Sequence, residues 1–125
     1  MNDEMFDVVI IGGGPAGLTA GLYASRARMK ALLLEKGLAG GQVLITDLVE
    51  NFPGFPDGVA GPDLADHFLK QAKRAGLEIK EAEAKKIVLE KGRFKVIIDG
   101  LKELKALSII IATGANWSSL GVPGE

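Results

Sequence analysis

Residues 7–35 read DVVIIGGGPAGLTAGLYASRARMKALLLE, and most of the chain is organised around them. The apolar run Val8, Val9, Ile10, Ile11 is short enough to be a buried parallel strand over about 7–11. Gly12, Gly14 and Gly17 follow in G-x-G-x-x-G spacing, filled as GGGPAG. A helical stretch over about 15–27 comes next, then a second apolar run over about 30–34 that ends in Glu35. Each part has a task in holding a dinucleotide. Gly12 lets the chain leave the strand in a tight turn, Gly14 bares the backbone to a pyrophosphate, and Gly17 lets the helix lie close on the sheet. N–H groups at the helix start and the positive end of its dipole face the phosphates. Pro15 suits the first helical turn, where its missing N–H costs little. Glu35, 18 residues beyond Gly17, accepts hydrogen bonds from the hydroxyls of an adenosine ribose.

A lone G-x-G-x-x-G is weak evidence. Here a strand precedes it, a helix follows, and an acid closes the next strand, so the bland alternative of a glycine-rich turn in some other α/β protein is disfavoured. Small residues at Gly17, Ala20 or Gly21, Ala24 and Ala27 give the helix one narrow face for the sheet. Arg26, Arg28 and Lys30 complement its negative pole.

Composition narrows the function classes. The 125 residues make one domain at most, 47% hydrophobic and 25% charged, as in ordinary globular proteins. A formal net charge of −1 gives no electrostatic case for nucleic acid or an anionic membrane. Apolar runs fall far short of a membrane span. The start, MNDEMFD, is acidic and polar, unlike a signal peptide, which makes a cytoplasmic location the default expectation. With no cysteine, the chain carries no disulfide, thiolate nucleophile or thiolate metal site.

Residues 1–6 read as a lead-in. Residues 36–61 are loop-rich, and a long irregular stretch is usually functional or disordered. Val43, Leu44, Ile45, Leu48, Val49, Phe52 and Phe55 argue against disorder, because they need burial. Gly40 and Gly41 permit close backbone approach, while Gln42, Thr46 and Asn51 offer uncharged polar groups that suit a heterocycle and a polyol chain, or merely cap local turns. A second helix is expected over about 62–75, with Pro62 in its first turn and Gly76 as its cap. Leu64, Phe68, Ala72 and Ala75 form its apolar face. His67, the only histidine, reads as a surface residue without an orienting partner, not a base. A third parallel strand fits 77–80. Strands follow at about 84–89, 94–98 and 101–106, with turns at Lys91-Gly92 and Asp99-Gly100. Their charges alternate with apolar residues, as on the wet face of an antiparallel meander. Residues 107–114, LSIIIATG, read as a separate buried strand ending beside the glycine loop. The tail is loop, with Trp117 as packing or exposed surface.

Together GGGPAG with Glu35, GGQ at 40–42, ENFPGF at 50–55, GPDL at 61–64 and IIATGA at 110–115 resemble the low-molecular-weight thioredoxin reductases, in order and spacing, over nearly the whole chain. GGQ with ENFPGF is the specific part, since many flavin oxidoreductases share the other motifs. The resemblance implies a Rossmann-like FAD-binding domain, α/β, with a parallel sheet and an antiparallel β-meander, incomplete at its C-terminal side. It implies that Gly12, Gly14, Pro15, Ala16 and Gly17 hold the pyrophosphate and that Glu35 and Lys36 flank the ribose. Gly41 and Gln42 would lie along the cofactor, Thr46 and Asn51 towards the flavin and ribityl end. Ala84 would offer its backbone to the adenine, and Ala112, Thr113 and Gly114 would close the pocket. No catalytic residue and no metal ligand is expected.

Family members continue into an NADPH-binding domain with a second glycine fingerprint and a C-x-x-C pair, then return to complete the FAD domain. Residues 1–125 are therefore expected to be the N-terminal part of the FAD-binding domain, binding FAD weakly, self-associating through an uncovered apolar face, and inactive alone. The complete enzyme would pass electrons from NADPH through FAD to a disulfide, with a thioredoxin-like partner, as a homodimer. Two other readings compete: part of a cysteine-free ferredoxin or flavin–NADP reductase of similar fold, and a stand-alone, non-catalytic nucleotide-binding module.

Overall fold

A computed structural model describes residues 4–124, the side chain of Leu101 excepted. The opening stretch folds as strand β1 (Met5–Ile11), helix α1 (Pro15–Arg26) and strand β2 (Ala31–Glu35). β1 starts earlier than the apolar run suggests, because Phe6, expected in the lead-in, is buried in the core. Residues 1–3 of that lead-in lie outside the described residues. Pro15 opens α1, whose buried face is Gly17, Leu18, Gly21 and Ala24. Ala27, expected on that face, is instead the exposed cap. The chain reverses at Arg28, which adopts φ +59° and donates its N–H to Ser25 O (2.9 Å). Glycine is the usual occupant of that left-handed position, so Arg28 carries a strain of about 1–2 kcal/mol.

Strands β3 (Leu48–Val49) and β4 (Val59–Ala60) form a small antiparallel pair in the connection to helix α2 (Gly61–Arg74). Gly76 caps α2 at φ +98°, as its position predicts. Strand β5 (Glu78–Glu81) then pairs parallel to β2, and β2 to β1. Strands β6 (Ala84–Glu90) and β7 (Arg93–Ile98) are joined by Lys91-Gly92, with φ +50° and +74°. Two consecutive positive φ values make the tight turn whose twist matches a hairpin.

The expected separate strands at 101–106 and 107–114 are one strand, β8 (Lys102–Ile111). Residues 102–106 pair antiparallel with β7, and 105–111 pair parallel with β1. The overlap is only Lys105 and Ala106, and Ala106 is fully buried there. β8 thus joins a parallel block to an antiparallel one in a single sheet of order β5-β2-β1-β8-β7-β6. The expected burial of 107–111 is not met. The pairing with β7 ends at Ala106, and Leu107, Ile110 and Ile111 are exposed.

Both faces of β1 and β2 are covered. Val8, Ile10 and Leu33 pack with Leu18 and Ala24 of α1 and Ala72 of α2. Val9, Ile11, Leu32 and Leu34 join the other cluster, with Val96, Ile98 and Ala106 of the meander. Alternate residues of each strand serve opposite layers, which is why β1 and β2 read as unbroken apolar runs.

The connection at 36–61 is ordered, but not by the burial its apolar residues suggest. Ile45, Leu48 and Phe52 are exposed, while Val43, Leu44, Val49 and Phe55 are half-buried. Directional contacts hold it instead. A 3-10 turn spans Gly41–Ile45, and Gly61 N–H donates to Thr46 O (3.1 Å). Phe52 meets Phe68 edge-on at 5.7 Å, and Phe55 stacks on His67 at 6.1 Å. His67 is exposed, as expected, and serves as that stacking partner.

Replacing Leu33, which is fully buried, by alanine should cost about 2–5 kcal/mol in urea unfolding. Tyr23→Ala, at a position 67% exposed, should change stability by under about 0.5 kcal/mol.

In the meander, Lys95 Nζ lies 2.7 Å from Glu90 Oε2. The Glu90 carboxyl is lowered and the Lys95 amine raised, each chiefly by that hydrogen bond. The lowered acid contributes above its unfolded pKa and fades as pH falls through the folded one. The raised amine contributes below its unfolded pKa and fades as pH rises through the folded one. The pair should therefore favour folding across neutral pH only, and the difference between wild type and Lys95→Gln in urea should vanish in molar salt.

Candidate functional site

The carboxyl ends of β1, β2 and β8 converge on residues 12–17. Gly12 N–H donates to Leu34 O (2.9 Å), and Ala112 N–H to Ile11 O (2.8 Å). Gly12 has φ +110°, and a Cβ there would lie 2.1 Å from Ala112 O. A Cβ on Gly17 would lie 1.8 Å from Gly12 O. These two glycines are required by backbone meeting backbone. Gly14 differs: its φ is −77°, and an added Cβ would meet only Gly41 Cα, at 3.6 Å. Its missing side chain leaves space in the cleft.

The next shell comes from 35–42. Gly40 N–H donates to Gly13 O (2.8 Å), and Gly41, at φ +63°, lies so close that its Cβ would be 2.9 Å from Gly14 Cα. Glu35 Oε2 accepts from Gly13 N–H at 2.7 Å, and Oε1 accepts from Gly37 N–H at 3.0 Å. Gln42 Nε2 donates to Ala115 O at 2.5 Å, tying the 3-10 turn to the segment after β8.

Leu18 N–H takes Gly14 O (2.9 Å), the first bond of α1. The N–H groups of Ala16 and Gly17 precede it and have no intrahelical acceptor, and the helix dipole adds positive potential at the same place. Acceptor-rich anions fit such an end.

Two clefts surround this loop. The larger, about 460 Å³, is lined by Gly12, Gly14, Pro15, Ala16, Glu35, Gly41, Gln42, Ala112, Thr113 and Gly114 among others. The smaller, about 140 Å³, shares Gly12, Glu35 and Thr113 with it and adds Lys36 and Ala84. Most residues singled out from the sequence are thus brought together. Gly17 lies beneath the loop instead of on a cleft wall. Thr46 and Asn51 line neither cleft: the Thr46 hydroxyl reaches Gln42 O at 3.5 Å, and Asn51 is exposed. Sequence reading missed Gly13, Leu38, Val43, Ala115 and Asn116 in the larger cleft, and Ala82 and Glu83 in the smaller. Gly13, Val43 and Ala115 each adjoin a motif residue, which was the available signal. Leu38, 84% exposed, had none. Trp117 is exposed surface.

The residues present fit a dinucleotide. A cradle stripped of side chains adjoins helix-start donors, with a carboxylate 18 residues on and a second recess beyond it. Residues 6–125 match the family model of pyridine nucleotide-disulphide oxidoreductases. The chain belongs to that family. It is 49% identical over 123 residues to the thioredoxin reductase of Listeria monocytogenes and 44% identical to that of Bacillus subtilis. Each match covers 98% of this chain and 38% of the relative. The crystal structure of Lactococcus lactis thioredoxin reductase superposes with a TM-score of 0.90 at 42% identity, over 96% of this chain and 39% of that one. The chain therefore spans about two-fifths of the length of these relatives. The resemblance to thioredoxin reductases read from the motifs holds, and the fold is that of their FAD-binding domain. This family of oxidoreductases implies a flavin cofactor of the FAD type. No helix among the described residues is long and apolar enough to cross a membrane.

Gly12→Ala should cost at least about 2 kcal/mol in chemical denaturation, because it combines a strained φ with a backbone clash. Gly54→Ala is the control: φ +99° with nothing within 4 Å of its Cβ, so about 1–2 kcal/mol of strain alone.

Proposed function

We propose that the paired clefts hold FAD, and that the chain is the N-terminal part of the FAD-binding domain of a thioredoxin reductase-like enzyme. The observation that carries this reading is that both clefts share Gly12, Glu35 and Thr113 around the start of α1. The pyrophosphate would lie over Gly14 and the N–H groups of Ala16 and Gly17, with Gly12, Pro15 and Gly17 shaping the turn. Glu35 and Lys36 would flank the adenosine ribose, and the backbone of Ala84 would meet the adenine in the smaller cleft. Gly41, Gln42, Ala112, Thr113 and Gly114 would border the remainder of the cofactor. Thr46 and Asn51, outside the linings, are assigned to the ribityl end by family resemblance alone.

The chemistry such a group supplies when bound is two-electron transfer from a reduced nicotinamide towards a disulfide. This chain's part is to bind the dinucleotide and orient it. None of its 125 residues is a cysteine, so the dithiol, the NADPH site and the remaining FAD contacts would come from the rest of a longer enzyme. That enzyme would be a cytoplasmic homodimer serving a thioredoxin-like protein. Residues 1–125 alone would be inactive, would hold FAD weakly, and would self-associate through exposed Leu107, Ile110 and Ile111.

Titrating the purified chain with FAD, followed by visible absorbance and flavin fluorescence, should give saturable binding. Gly14→Ala, whose Cβ meets nothing closer than 3.6 Å, should melt like wild type but bind FAD about tenfold more weakly, a loss of about 1.4 kcal/mol. Binding of ADP but not FAD would instead favour a non-catalytic nucleotide module.

A further inference from the structure

Glu35 is tied down within the protein alone. Its two carboxylate oxygens accept from Gly13 N–H at 2.7 Å and Gly37 N–H at 3.0 Å. Its aliphatic stem packs on the loop as well: a Cβ on Gly13 would lie 3.0 Å from Oε2 and 3.1 Å from the Glu35 Cβ. The other side of the same peptide is also held, since Gly13 O accepts from Gly40 N–H at 2.8 Å. Gly13 is buried, so its N–H has no water to fall back on and would be costly to leave unpaired.

We infer that Glu35 is the positioning residue of the glycine loop, fixing Gly13 so that the N–H groups of Gly14, Ala16 and Gly17 converge before any ligand arrives. A carboxylate has about four acceptor sites. Two remain for ribose hydroxyls, so the clamp and the sugar contact coexist. Preorganisation lowers the cost of ordering donors on binding. The inference predicts a sign opposite to simple charge. Removing a carboxylate beside an anion site should tighten anion binding by relieving repulsion; losing the clamp should weaken it, even for an anion that has no ribose.

The test uses inorganic pyrophosphate and the ligand-free 125-residue chain. In Glu35→Ala and in Glu35→Met, which keeps side-chain bulk without an acceptor, the Gly13 and Gly40 amides should exchange with solvent about tenfold faster, the scale of one charge-assisted hydrogen bond. The melting temperature should fall by several degrees, the cost of one unpaired buried donor, and Val9 and Ile10 amides should show no acceleration beyond that global loss. Pyrophosphate should bind about tenfold more weakly, by the same reasoning. Glu35→Gln, whose carbonyl can still accept from Gly13, should recover both the protection and the affinity. Wild-type protection of Gly13 in the Ala and Met variants, or pyrophosphate binding that is unchanged or tighter, would overturn the inference. The binding arm rests on the dinucleotide reading, and the exchange arm does not. Should wild type bind neither pyrophosphate nor FAD, the cofactor assignment falls, and amide exchange alone decides the clamp.

Discussion

The fold depends on backbone touching backbone at Gly12. Its N–H donates to Leu34 O of β2, a Cβ on it would strike the carbonyl of Ala112, and its own carbonyl fills the space where Gly17 has no side chain. One residue thus joins β1, β2, β8 and α1. The contacts with Ala112 and Gly17 each need the absence of a methyl group, because close-packed interiors have no slack for even one added carbon. The same crowding that fixes the strands gives the cleft its shape, so stability and binding geometry share a cause.

β8 carries the second constraint. A strand has two edges, and this one uses different partners along its length: β7 for its first half, β1 for its second. Ala106 sits where the two blocks meet, and its small side chain suits the crowding there. The unpaired edge beyond Ala106 then explains why isoleucines that look like core residues are exposed. Hydrophobicity asks for burial, but only a neighbouring strand or layer can supply it.

The segment between β2 and α2 shows a different economy. Its apolar side chains are largely half-buried or exposed, and its conformation is fixed by close glycine contacts, a few backbone hydrogen bonds and three aromatic contacts. Gly61 belongs to this set, since a Cβ there would lie 2.1 Å from Val43 O and 2.2 Å from Thr46 O. Through those contacts the 3-10 turn bearing Gln42 is held against α2 on one side and the glycine loop on the other.

Much was legible in the sequence, because local chemistry dictated it. Gly12, Gly14 and Gly17 between a β run and a helix specify a strand–turn–helix, and continuous Val, Ile and Leu in β1 and β2 specify strands covered on both faces. Gly12, Gly14, Pro15, Ala16 and Glu35 were found this way, whereas Lys36, Gly41, Gln42, Ala84, Ala112, Thr113 and Gly114 were assigned through the resemblance to thioredoxin reductases. Tertiary structure alone decided the rest. A change from alternating charge at 102–105 to LSIII at 107–111 looked like two strands, yet pairing with two different neighbours made it one. The clamp of Glu35 on Gly13 spans 22 residues of chain, and no local pattern announces a hydrogen bond that exists only once β1 and β2 lie side by side.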